Sequence, residues 1–161
     1  MVDDRNPVEK LFQLEFETET KNKEIEAEVP KMTMERSMKL RCYIDNNNNP
    51  IDTLEEGLDI GLKGELEKYS EIADRNCIYE KSQKISQLPS YLCVNFVRFY
   101  WKAASQVGGT KAGKAKILKK VQYPKVLDIY KFCSEELKKS LDHGRALETK
   151  NREKEDARML E

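Results

Sequence analysis

Residues 87–102 read QLPSYLCVNFVRFYWK, and the fold turns on what this run forms. Leu92, Val94, Phe96, Arg98 and Tyr100 make one face of an extended chain, and Tyr91, Cys93, Asn95, Val97, Phe99 and Trp101 make the other. Neither set is polar throughout, which predicts a strand covered on both faces at the centre of a sheet. Pro89 marks its start, because proline has no N–H for a ladder and drives Leu88 toward extended geometry. At the far end the run gives way to AASQVGGTKAGKAK, residues 103–116, whose glycines and lysines predict a flexible loop.

Upstream, LFQLEFET over residues 11–18 sets Phe12, Leu14 and Phe16 against Gln13, Glu15 and Glu17, the period of a half-buried strand. Residues 20–38 show little hydrophobic period and contain Pro30, which predicts a mobile excursion. KLRCYID over residues 39–45 alternates again, so the two alternating segments are expected to pair as a long hairpin. Asn46–Pro50 reads as a surface loop. Thr53 with Glu56 fits a capping box, and Leu54, Leu58, Leu62 and Leu66, with Tyr69 nearby, recur on one helical face that Gly57, Gly61 and Gly64 weaken.

NCIYEKSQKI, residues 76–85, predicts the strand that leads into Pro89. Beyond the loop, KAKILKKVQYP over 114–124 predicts another strand, and KVLDIYKFC over 125–133 a short helix. A charged helix is expected from Ser134, anchored by Leu137, Leu141 and Leu147. The residues beyond Lys150 have little to bury and are expected to fray unless packed. The domain division is 8–150 for the fold and 151–161 for a charged tail. The fold class is α+β, a mixed, mainly antiparallel sheet with flanking helices.

The 161 residues carry 29 basic and 29 acidic side chains, so no overall field draws in nucleic acid or an anionic membrane. Hydrophobic content of 39% against 36% charged predicts a thin core and much solvated surface. No stretch approaches the roughly 20 apolar residues of a membrane span, and the first ten residues lack a signal-peptide apolar region, so a soluble intracellular chain is expected. Cys42, Cys77, Cys93 and Cys133 lack C-x-x-C spacing and read as reduced, buried thiols; no metal and no cofactor is expected.

A thiol hydrolase needs a base beside its nucleophile, and the chain has a single histidine, His143, in a charged helical stretch that predicts solvent exposure. Cys93 sits inside the expected central strand. QVGGTKAGK is not a phosphate-binding loop, since neither Lys111 nor Lys114 is followed by Ser or Thr. The lysines between 102 and 120 beside Phe99, Tyr100 and Trp101 could form a basic aromatic patch for single-stranded nucleic acid, but zero net charge makes this the weakest reading. A well-specified sheet with no complete catalytic set suggests a fragment.

The order ISQLPSYLCVNFVRFYW, then a variable loop, then KILKKVQYPKVLDI resembles the central segment of the ubiquitin-specific proteases. The elements that carry it are Leu88, Pro89, Leu92, Arg98, Phe99, Lys116, Ile117, Val121, Tyr123, Pro124, Leu127 and Asp128. LFQLEFETET, NCIYEKSQKIS and LDIYKFCSEEL are similar to the proteasome-associated branch of that family. The resemblance implies a catalytic domain of thumb, palm and fingers, of cysteine-proteinase-like fold, acting as a thiol-dependent ubiquitinyl hydrolase on isopeptide bonds at the ubiquitin C-terminus. It also implies an absence, because the family's cysteine box and histidine box do not occur here.

The chain would therefore be the fingers and part of the palm, inactive alone. Its implied partners are ubiquitin and ubiquitinated proteins, with the proteasome reached through other parts of the parent protein and a homodimer formed through open strands. Its compartment would be the cytoplasm, with the nucleus as a second. A non-enzymatic ubiquitin-binding or scaffold module is the alternative. The segment from Lys102 to Ala115 corresponds in position to a blocking loop over the channel for ubiquitin's tail. Phe99 and Tyr100 are then expected to line that channel, with Arg98 held by a carboxylate or backbone carbonyl. Glu15, Glu17 and Tyr43 are expected to meet ubiquitin's globular body.

Overall fold

The computed structural model describes residues 5–45, 51–104 and 111–159. The Asn46–Pro50 loop expectation lies outside these residues, as do residues 105–110 of the blocking-loop segment. The first element follows from its capping: Asn6 Oδ1 accepts from the amides of Val8 and Glu9 at 3.0 Å, Glu9 returns to the Asn6 amide at 2.8 Å, and Pro7 occupies the first turn. This α1 spans Pro7–Phe12 and β1 spans Leu14–Asn22, so the strand expected from residue 11 begins later. Along β1, Leu14, Phe16 and Thr18 are buried while Glu15 and Glu17 lie on the other face.

The expected hairpin does not form. β1 pairs antiparallel with β2, Lys31–Ser37, which lies within the stretch read as a mobile excursion. Its period is present in the letters, with Met32, Met34 and Arg36 on one side and Thr33 and Glu35 on the other, but methionine and threonine give it little hydrophobic contrast. On its other side β1 pairs with β5, Arg75–Gln87. Glu15 faces Gln87 and Phe16 faces Ile85, so Ser86 is an extra residue that shifts the register. β4, Lys63–Ser70, completes a sheet of order β2-β1-β5-β4.

The helix expected from Thr53 is α2, Leu54–Gly61, and its capping box is formed. It ends before Leu66 and Tyr69, which belong to β4 instead. Both of its glycines, Gly57 and Gly61, have a packing reason, and Gly64 falls on β4 instead. A Cβ at Gly57 would overlap the Tyr43 carbonyl and the Cys42 sulfur, and one at Gly61 would overlap the Arg41 carbonyl. α2 therefore lies directly on the backbone of β3, Leu40–Tyr43. Leu54, Leu58 and Leu62 join Leu14, Phe16, Leu40, Cys42, Ile44 and Ile85 in the core between α2, β3 and the sheet.

The run at 87–102 is divided rather than a single central strand. β6, Val94–Val97, pairs in parallel with β3, and β7, Phe99–Lys102, pairs antiparallel with β8, Gly113–Lys116. Arg98 is the joint: its guanidinium donates to the Lys119 carbonyl at 3.3 Å, lies 5.5 Å from the Phe96 ring, and its own carbonyl accepts from Ile117 N at 2.8 Å. The arginine is thus held by a backbone carbonyl, as expected. The strand expected over 114–124 is shorter, continuing only as a bridge between Thr53 and Gln122.

Only a turn of 3-10 helix, Tyr130–Phe132, stands where a helix was expected over 125–133. Ser134 N donates to the Ile85 carbonyl at 2.8 Å and anchors the start of α3, Glu135–Met159. Leu137 and Leu141 touch the core, but Leu147 is exposed, and the helix continues through the stretch expected to fray. Pairs at helical spacing such as Arg152–Glu148 support it in solvent. The mixed, mainly antiparallel sheet with flanking helices is as expected.

Candidate functional site

One face of the four-stranded sheet packs on the core; the other is open. The open face carries Glu15 and Glu17 from β1, Met32, Met34 and Arg36 from β2, Lys84 and Ile78 from β5, and Tyr69 from β4, as their paired registers require. Met32 and Met34 are 59% and 60% exposed, and Tyr69 and Ile78 about half, an apolar content unusual for a solvated face. Glu15 is oriented by Arg36, whose Nε donates to Oε1 at 2.8 Å. Sequence reasoning selected Glu15 and Glu17 but missed the methionines beside them. The alternation of KMTMERS was the available signal.

At the tip of this sheet the connection after β1 is tied down. Glu28 accepts from Asn22 Nδ2 at 2.7 Å, Ser70 Oγ at 2.8 Å and Tyr79 OH at 2.7 Å, and these donors, led by Tyr79, hold its carboxyl below the usual range. Asn22, Ser70 and Tyr79 are all buried.

Phe99 and Tyr100 lie on β7, where every residue is exposed. With Trp101 and Lys114 they line an open cleft of about 390 Å³. Trp101 is 66% exposed, and Lys114 stands opposite it in the ladder. Tyr43 is half-buried at the end of β3, beside Val97. The structure thus brings Glu15 and Glu17 together and Phe99 and Tyr100 together, but leaves Tyr43 on a third ladder.

Among the described residues no thiol is hydrogen-bonded to the histidine. Burial pushes the Cys42 thiol up to about 11 against a smaller pull from Arg98, and burial also raises Cys133. Cys42, Cys77 and Cys133 donate weakly to backbone carbonyls. Cys93, expected in a buried strand, is exposed just before β6. His143 is exposed on α3. Among the described residues no group of three or more His, Cys, Asp or Glu side chains is gathered for a metal ion.

Comparison with known proteins gives this surface its context. Residues 1–146 match the family described as UCH, ubiquitin carboxyl-terminal hydrolase. Ubiquitin carboxyl-terminal hydrolase 6 of Arabidopsis thaliana is 49% identical over 106 residues, covering 66% of this chain and 20% of the relative. Ubiquitin carboxyl-terminal hydrolase 14 of Caenorhabditis elegans is 38% identical over 139 residues, 86% of this chain and 26% of the relative. The chain therefore spans between a fifth and about a quarter of the length of these relatives. A solved SAGA DUB module, Ubp8/Sgf11/Sus1/Sgf73 bound to ubiquitin aldehyde, matches with a TM-score of 0.56 at 21% identity, over 79% of this chain and 26% of that chain, a likeness of fold. Taken with the divided strand, its Arg98 joint and the sheet that precedes it, the match over residues 1–146 means that the chain belongs to the ubiquitin carboxyl-terminal hydrolase family.

Proposed function

We propose that this chain is the ubiquitin-cradling portion, fingers and adjoining palm, of a deubiquitinating cysteine protease that cleaves isopeptide bonds at the ubiquitin C-terminus. The observation that carries the reading is the family match over residues 1–146 joined to a sheet whose second face is open and apolar-rich. Residues 8–150 form the cradle and 151–161 its charged tail. Glu15 and Glu17, flanked by Met32 and Met34, contact ubiquitin's globular body. Tyr43 contributes from the palm side, and Phe99 and Tyr100 contact the extended tail. Aromatic and methionine side chains suit that task because they bury much area at low conformational cost, while carboxylates fix register with a basic partner.

The chemistry resides in the parent protein. The Cys42 and Cys133 thiols are buried with raised pKa values, and the single histidine lies on the surface of α3, so the activated nucleophile is assigned to the rest of the parent protein. The parent works in the cytoplasm, with the nucleus as a second compartment, and reaches the proteasome through segments other than these. This part can also pair with a second copy through the open edges of β2 and β4. The test is the purified chain with a fluorogenic ubiquitin substrate. No turnover is expected, together with weak, saturable ubiquitin binding. Turnover abolished by substituting one of the four cysteines would overturn the reading, and submicromolar binding without turnover would favour the self-sufficient ubiquitin-binding module.

A further inference from the structure

On the face of the sheet opposite Glu15 and Met34, where the core ends, a cleft of about 220 Å³ opens between the sheet, β3 and the end of α2. Its apolar lining comes from Phe16, Leu40 and Leu62, and its polar lining includes Lys39, Arg41, Lys81 and Glu35. The charges do not cancel locally. Lys81 lies 2.8 Å from Glu35, which also accepts from the Gln83 amide at 3.1 Å, so that carboxylate is satisfied. Arg36, at the rim, is turned to Glu15. Among the described residues Lys39 and Arg41 meet no carboxylate, although both line the cleft and the chain as a whole is neutral.

We propose that this cleft binds a compact phosphate-bearing anion. Lys39 and Arg41 supply the two cations, and Arg41 is able to engage phosphate oxygens in bidentate fashion. Gly61 keeps the α2 backbone against the Arg41 carbonyl, so the strand that presents Arg41 is fixed before binding, with Lys39 in the bend just ahead of it. The space admits a phosphate with part of its hydration, since a water occupies about 30 Å³ in the liquid. The site lies away from the face proposed for ubiquitin and does not depend on that proposal.

The test is an amide NMR titration of the 161-residue chain with inorganic pyrophosphate at matched ionic strength, with circular dichroism to verify folding of each variant. Saturable shifts are expected at Lys39–Arg41, Gly61 and Lys81. The double variant K39Q/R41Q should weaken binding at least about tenfold, the scale of one charge-assisted contact. K114Q/K116Q, which removes two cations from β8, should leave it nearly unchanged. A parallel titration with a phosphoserine peptide assigns the source: tighter binding of the peptide indicates a modified protein, and tighter binding of pyrophosphate a small molecule. Equal loss in both double variants, shifts spread over every lysine-rich segment, or no saturation would overturn the proposal.

Discussion

The four-stranded sheet and the two ladders after Gln87 invert the usual relation between composition and burial. β4 and β5 are rich in Lys, Glu, Ser and Gln, yet they sit in a sheet that satisfies its own hydrogen bonds and buries Cys77, Tyr79 and Ile85. β7 reads FYWK and is exposed at every position. The sheet has four strands and a core beneath it, whereas β7 and β8 form a two-stranded ladder, an arrangement marginal by itself in water. Burial follows from what packs next to a strand, and among the described residues nothing covers β7.

Substitutions can break this contrast. The largest loss is expected from Ile85→Ala: the side chain is fully buried where the sheet meets Cys133 and the start of α3, and truncation should cost about 2–5 kcal/mol in chemical denaturation. Gly61→Ala comes next, because the added methyl meets the Arg41 backbone rather than a movable side chain; about 1–3 kcal/mol is expected by the same measurement. Phe99→Ala with Trp101→Ala should change stability by no more than about 0.5 kcal/mol, since both rings already face solvent, while weakening ubiquitin binding. A cost comparable to Ile85→Ala would mean that β7 is packed after all.

Two smaller effects sharpen the comparison. Thiol labelling of the native chain at pH 8 should modify Cys93 first and leave Cys42, Cys77 and Cys133 slow, because they are buried and the Cys42 thiol is pushed up to about 11. At the sheet's tip, Glu28 has a carboxyl pKa depressed in the folded state, so its stabilisation is present above the unfolded value and disappears as pH falls through the folded one. Hydrogen exchange should therefore show the connection after β1 loosening in acid before the core strands do, and Glu28→Gln should loosen it at neutral pH.

The sequence made some of this readable and hid the rest for identifiable reasons. β1, β5 and the Thr53 capping box are set by local alternation and capping, and all three are found. β2 is hard to read because Met32 and Met34 alternate with Thr33 and Glu35 at low hydrophobic contrast, and only the pairing with β1 makes it a strand. Leu66 and Tyr69 continue the helical spacing by coincidence, and only pairing with β5 makes β4 a strand. The aromatic run hid its division because a period-two pattern cannot reveal that Arg98 leaves one ladder for the next. Of the candidate surfaces, Glu15, Glu17, Phe99 and Tyr100 could be picked out by residue type, but their grouping on two separate ladders could not, since grouping depends on register and topology.

The central claim is that the open face of the β2-β1-β5-β4 sheet, together with β7, receives ubiquitin. Titrating the isotopically labelled chain with unlabelled ubiquitin and following its amide resonances tests it directly. The account predicts weak, saturable binding with shifts at Glu15, Glu17, Met32, Met34 and Phe99–Trp101, and few along α3. Shifts confined to α3, or ubiquitin affinity unaltered by charge reversal at Glu15 and Glu17 together with Met32→Ser and Met34→Ser, would contradict it.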